Sequence, residues 1–172
     1  MSELTRAMTE WLAEHGIPEW LIPLLVSIFP IIELRGGIIA ASLLGMELWQ
    51  AVLVCMIGNI LPIPFILLFI DKIFDFLKKH RIPLITKLVV YLENKAMNKS
   101  STMEKGEFLF LLFFVGIPLP GTGAWTGSLI ASLRKIPLKK AVPAIFLGLC
   151  LASAIMCVLF YGFPEMFTKI IG

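Results

Sequence analysis

Glu33 and Arg35 lie two residues apart in "FPIIELRGGIIAAS", Phe29 to Ser42, where most neighbours are apolar. A carboxylate can take up and release a proton. A guanidinium offers a planar fork of donors that suits a phosphate or a carboxylate. A charge left alone at bilayer depth costs on the order of 2.5–3.5 kcal/mol on insertion scales, so ionisable residues there are functional by default. A second stretch, "IPLPGTGAWTG" (Ile117 to Gly127), has no charge but is rich in turn formers and hydroxyls. Both stretches join proline, which stops an incoming helix, to glycine, which permits a turn and a close backbone approach. The candidate substrate and proton site is therefore Glu33, Arg35, Gly36 and Gly37 with Pro118, Pro120, Gly121, Thr122, Gly123, Trp125 and Thr126. Ser42 and Ser132 are expected near the same meeting point. The competing expectation is an ion pair between Glu33 and Arg35 that locks the first stretch. Asn59 reads as a cross-helix hydrogen bond or plain packing glue. His15 and His80 lie in polar flanks and read as solvated. The chain carries no zinc-protease spacing, nucleotide loop or Ser–His–Asp pattern, so no catalytic residue, cofactor or metal is expected and the chain does not read as an enzyme.

Charges in such surroundings need elements that hold them in lipid. Of 172 residues, 58% are hydrophobic and 16% charged, against about half and about a quarter in soluble domains. Leu48–Ile70 and Ala141–Gly162 are each long enough to cross a hydrocarbon core of about 30 Å. The whole chain, 1–172, reads as a single all-α integral membrane domain. Residues 1–16 lack the apolar run of a signal peptide and read as an amphipathic interfacial helix, with Leu4, Met8, Trp11 and Leu12 on one face. Cys55, Cys150 and Cys157 fall in apolar spans at no metal spacing and read as small buried hydrophobes.

A shift of 90 residues aligns Gly37, Ala41, Ser42, Leu43, Leu48, Ala51, Val52 and Gly58 with Gly127, Ala131, Ser132, Leu133, Leu138, Ala141, Val142 and Gly148, and Pro30 with Pro120. Charge constrains the shape of the two halves. Segment 71–107 holds Lys72, Lys78, Lys79, Arg81, Lys87, Lys95, Lys99 and Lys105, and the link after Leu133 holds Arg134, Lys135, Lys139 and Lys140. Short basic loops prefer the cytoplasm, yet only Phe108–Leu133 separates these two. One span puts them on opposite sides, and two spans need about 40 residues. A half-depth hairpin turning at "PLPGTG" resolves the conflict. The repeat then demands the same of Pro18–Met46 from the other face. Each half, 17–70 and 108–163, reads as a re-entrant helical hairpin followed by one full transmembrane helix. An odd number of crossings per half makes this an inverted-topology repeat, as in many transporters. Segment 71–107 reads as basic, cytoplasmic and interfacial, with amphipathic helices.

"ELRGGI" (Glu33 to Ile38) followed by "PLPGTGAWTG" (Pro118 to Gly127) resembles the two signatures of the small multidrug export protein family of prokaryotic membrane proteins. The likeness covers roughly Pro18 to Gly162. The layout resembles, more distantly, the DedA-like proteins with paired re-entrant hairpins. That resemblance implies transport of lipids, including polyprenyl-phosphate carriers, with embedded acidic and arginine residues. Here both charges sit in the first hairpin, and the nearest basic residue of the second, Arg134, lies at its base. The expectation is a small multi-pass transporter of the inner (cytoplasmic) membrane, an exporter or lipid-carrier translocase with a midplane site and proton coupling at Glu33. Its partners would be membrane lipids, a hydrophobic small molecule or anionic polyprenyl phospholipid as substrate, and a second copy of itself, with no nucleic acid. The alternative is a membrane scaffold or assembly factor that needs the hairpins for shape only.

Overall fold

The computed structural model describes residues 2–70, 106–119 and 121–162, and all regular structure among them is helical. The helices expected within 71–105, and Pro120 of the candidate site, lie outside the described residues. Helix α1 (Ser2–Glu14) is followed by α2 (Leu21–Ile28), α3 (Glu33–Leu43) and α4 (Leu48–Ile60). After a turn at residues 61–62, α4 continues so that Leu48–Ile70 forms one apolar length of 23 residues. Then come α5 (Glu107–Gly116), α6 (Ala124–Leu133) and α7 (Leu138–Cys157). The last of these runs on through a wider π-helical coil, so that Leu138–Gly162 spans 25 residues. At about 1.5 Å per residue the two long helices reach across a core of about 30 Å. Helices α2, α3, α5 and α6, of 8, 11, 10 and 10 residues, reach about half of it.

The short helices pair as α2 with α3 and α5 with α6, and each pair packs on the long helix that follows it. Both incoming helices end the same way. Phe29 and Ile117, each before a proline, are extended at ψ 131° and 121°, because a following proline disfavours the helical region. Pro30 therefore corresponds to Pro118 and not to Pro120, since the second tip carries two extra residues. Both outgoing helices also end alike. Gly45 at φ 69° and Lys135 at φ 53° adopt the left-handed conformation. Met46 N–H then donates to the Ala41 carbonyl at 3.0 Å, and Ile136 N–H to that of Ala131 at 2.9 Å, which closes the helix end in the manner of a Schellman cap.

Glycine sets the helix spacing. A Cβ on Gly37 would fall on the Ser27 hydroxyl, and one on Gly58 would come within 3.0 Å of Ser27 Cβ. In the second half, a Cβ on either Gly127 or Gly148 would stand 2.7 Å from Val115. One residue of each incoming helix is thus clasped by two glycines, the close approach that helices use where lipid offers no hydrophobic drive.

The pairs open at opposite ends of the molecule. Tyr161 Oη donates to the Met46 carbonyl at 3.0 Å, placing the α3–α4 joint beside the end of α7. Glu107 and Lys140 approach to 3.8 Å, placing the α6–α7 joint beside the start of α5. Ser42, whose hydroxyl lies 3.5 Å from the Phe160 carbonyl, is therefore at the base of the first pair. Ser132, in the capped last turn of α6, is at the base of the second. Neither is at a tip, contrary to expectation, because most of a helix carries each away from the turn. Helix α1 forms as expected and is part of the packed fold. It packs on α2 and α3 through Thr5, Thr9 and Leu12, while Leu4 (48%) and Trp11 (56%) stay exposed. The small threonines let it approach Gly36, where a Cβ would stand 3.0 Å from Thr5 Oγ1. Of the cysteines only Cys55 is buried; Cys150 is exposed on α7.

Candidate functional site

The two turns meet. Glu33 is 4% exposed and Arg35 5%, though they stand in an otherwise apolar region. Glu33 holds a left-handed backbone at φ 54°. Its carboxylate accepts the Ala124 N–H at 3.0 Å and the Trp125 N–H at 3.2 Å. It therefore caps α6, satisfying two of the N–H groups that a helix start leaves unpaired and meeting the positive end of the helix dipole. The space it fills exists because residue 123 is glycine. Gly123 sits at φ 134°, and a Cβ there would land on the Glu33 carboxylate.

Arg35 reaches the same tip from another side of the first turn of α3. Its guanidinium donates to the carbonyls of Leu119 and of Ile117, the latter at 3.3 Å, and to Thr122 Oγ1 at 2.8 Å. Thr122 Oγ1 lies 2.9 Å from the Leu119 carbonyl and 3.0 Å from that of Ile117, either of which takes its proton. A tight turn about Pro118, closed by Leu119 N–H to the Ile117 carbonyl at 2.8 Å, presents these acceptors together. The second tip returns the contact: Trp125 Nε1 donates to the Ile28 carbonyl, at the end of α2, at 3.1 Å. Arg35 and Trp125 are 90 residues apart, and each bonds a carbonyl at the end of the other half's incoming helix.

Among the described residues no ion pair joins Glu33 to Arg35; each charge is spent across the interface instead. The expected lock within the first hairpin is thus replaced by a lock between hairpins. The reason is geometric: residues two apart on a helix point in different directions. Of the expected site, Glu33, Arg35, Thr122, Gly123 and Trp125 come together, with Pro118 shaping the turn. Gly36 and Gly37 serve packing on Thr5 and on Ser27, and Gly121 (φ 79°) serves the turn. Thr126 is half-buried, and none of the site's bonds runs to it. The carbonyls of Ile28, Ile117 and Leu119 were not anticipated; the prolines after residues 29 and 117, which end the helices and free those carbonyls, were the available sign.

Asn59 is fully buried at the centre of the Leu48–Ile70 length, and neither polar atom of its side chain has a hydrogen-bond partner among the described residues. The preceding Gly58 packs on Leu24 and Ser27, which places Asn59 near the level of the first tip.

The family described as "Putative small multi-drug export protein" matches residues 33–155, from Glu33 through both tips and most of α7. The chain belongs to this family. No curated protein and no solved structure matches it. Family membership and the two long apolar helices together make it a membrane protein, with an exporter's role indicated over an enzyme's.

Proposed function

We propose that the chain is a small exporter of the cytoplasmic membrane, built as an inverted-topology repeat. Its α2–α3 and α5–α6 pairs act as re-entrant hairpins entering from opposite faces, and their tips form a midplane site. The observation that carries this reading is the crossed contact at the tips: Glu33 caps α6 while Arg35 and Trp125 exchange bonds with opposite carbonyls. Non-helical backbone at membrane depth persists only when protein or a watery cavity satisfies it, and here each tip satisfies the other. The family description supports export as the direction. The basic residues at 134–140 and in 71–107 support a cytoplasmic base for the second hairpin.

The contacts correspond to a closed state. Rocking one half against the other parts the tips and frees two complementary binding elements. Withdrawal of Glu33 exposes the α6 N-terminus, an anion site. Withdrawal of Arg35 exposes the carbonyls of Ile117 and Leu119, a cation site. A proton on Glu33 would weaken its hold on the helix end and couple opening to a gradient. The substrate class is an amphipathic molecule with one charged group, either a hydrophobic drug-like cation or a polyprenyl phosphate.

The scaffold reading has one observation in its favour: both charges are buried and bonded to the opposite tip. Flux through proteoliposomes separates the two. Glu33→Gln and Arg35→Lys should each lower export of a cationic dye or of a short polyprenyl phosphate at least tenfold while the protein stays monodisperse. Wild-type flux in both variants would leave the tips a purely structural role.

A further inference from the structure

A groove runs between the second half of α4 and the first half of α7. Ile60, Ile63 and Leu68 line one wall, and Leu138, Val142 and Leu149 the other, enclosing about 190 Å³. It shares no residue with the tips. It forms where prolines loosen both helices: Pro62 and Pro64 in the first length, and Pro143 inside α7. Each removes a helix hydrogen bond and bends the chain.

The groove matches one leaflet in length. From Leu138 to Leu149 the helix rises about 16 Å, half of a core of about 30 Å. One end therefore lies at the interface and the other near the midplane. Charge marks the interfacial end. Lys135 and Lys139 are exposed beside Leu138, and Arg134 stands over the Phe110 ring at 5.6 Å. Glu107, at the start of α5, lies 3.8 Å from Lys140. Among the described residues the mouth thus carries an excess of positive charge, and lysine stems are long enough to bring their heads to a phosphate while lying along apolar surface.

We infer that this groove binds one anionic phospholipid, with an acyl chain along the groove and the headgroup phosphate on Lys135 and Lys139. The inference rests on the membrane placement of the chain and not on the transport site. Native mass spectrometry of the full-length protein tests it, in detergent doped with equal amounts of phosphatidylglycerol and phosphatidylcholine of identical chains. The wild type should retain one phosphatidylglycerol in clear preference. Lys135→Gln and Lys139→Gln should each reduce that preference about fivefold, the size expected for one cation at a membrane surface. Val142→Trp fills the groove, leaves every charge in place, and should reduce retention of both lipids. Leu68→Trp makes the same test from the other wall if Val142→Trp misfolds. Equal retention of the two lipids by the wild type overturns the inference. So does a phosphatidylglycerol preference that survives groove filling, since that traces it to diffuse attraction by the basic segments.

Discussion

Where the first half of the chain has Glu33, Arg35 and Asn59, the second half has Gly123, Trp125 and Leu149 at the positions 90 residues on. Apart from the two extra residues of the second tip, the backbone of the two halves is similar at several matched positions. Residues 33 and 123 both have positive φ, and residues 45 and 135 both close a helix end in the left-handed region. Residues 51 and 141 both donate the first hydrogen bond of a long helix, each at 2.9 Å. What differs is chemistry. The first half supplies the side chains, and the second supplies a bare helix start and a turn full of carbonyls to receive them. One buried charge of each sign is enough for such a junction. A symmetric version with Glu at both 33 and 123 would place two carboxylates in the space that Gly123 leaves for one.

The largest break in this comparison comes from position 35. Arg35→Met removes the donor to three acceptors at the second tip, and hydrogen bonds to a charged group are worth about 1.5–3 kcal/mol each. The counterpart change, Trp125→Phe, removes one neutral hydrogen bond, worth about 0.5–1.5 kcal/mol. Thermal unfolding in detergent should therefore rank the two well apart. Similar losses would mean that the junction is symmetric in energy as well as in shape.

Position 123 comes next. Gly123→Ala imposes a side chain on a backbone at φ 134° and drives it into the Glu33 carboxylate. Strain of that kind costs about 1–3 kcal/mol before the collision is counted. In the background of Glu33→Ala the collision vanishes and only the backbone penalty is left. The fall in melting temperature caused by Gly123→Ala should then shrink. An unchanged fall would show that the glycine serves the turn alone and that the space for Glu33 is incidental.

Position 59 runs the other way. Asn59→Leu makes the first half like the second and removes two buried polar atoms that have no partner among the described residues. Leaving such groups unpaired costs about 1–3 kcal/mol, so the variant should unfold at higher temperature. A lower melting temperature would mean that Asn59 holds something leucine cannot, and the same preparation assayed for flux would say whether transport depends on it.

These asymmetries explain what could be read from residue types. The charges of Glu33 and Arg35 announce themselves by their cost in apolar surroundings. The short helices of the second half follow from counting the residues between two basic segments, and the paired glycines mark the closest packing. The partners of the charges leave no such mark, because every residue has a carbonyl and an N–H and only the folded turn decides which are offered. Thr5 and Thr9 look like the polar face of an interfacial helix until Gly36 is set beside them. The two extra residues of the second tip hid the match of Ser27 to Val115 and of Pro30 to Pro118, since an ungapped shift of 90 passes over a shift of 88 in the incoming helices.

The smallest effect tests the joints, where the halves should be most alike. Gly45 adopts φ 69° without strain, whereas Lys135 adopts φ 53° with a Cβ that crowds its own carbonyl. Lys135→Gly should therefore stabilise the protein by about 1 kcal/mol, and Gly45→Ala should destabilise it by a similar amount. Lys135→Gln removes the same charge while keeping the Cβ, so it isolates the backbone contribution. If Lys135→Gln stabilises as much as Lys135→Gly, relief comes from dispersing the cations around the α6–α7 joint. If only the glycine variant does, the second half retains a strained joint for the sake of its lysine. That outcome is expected if Lys135 holds a phosphate at the mouth of the groove.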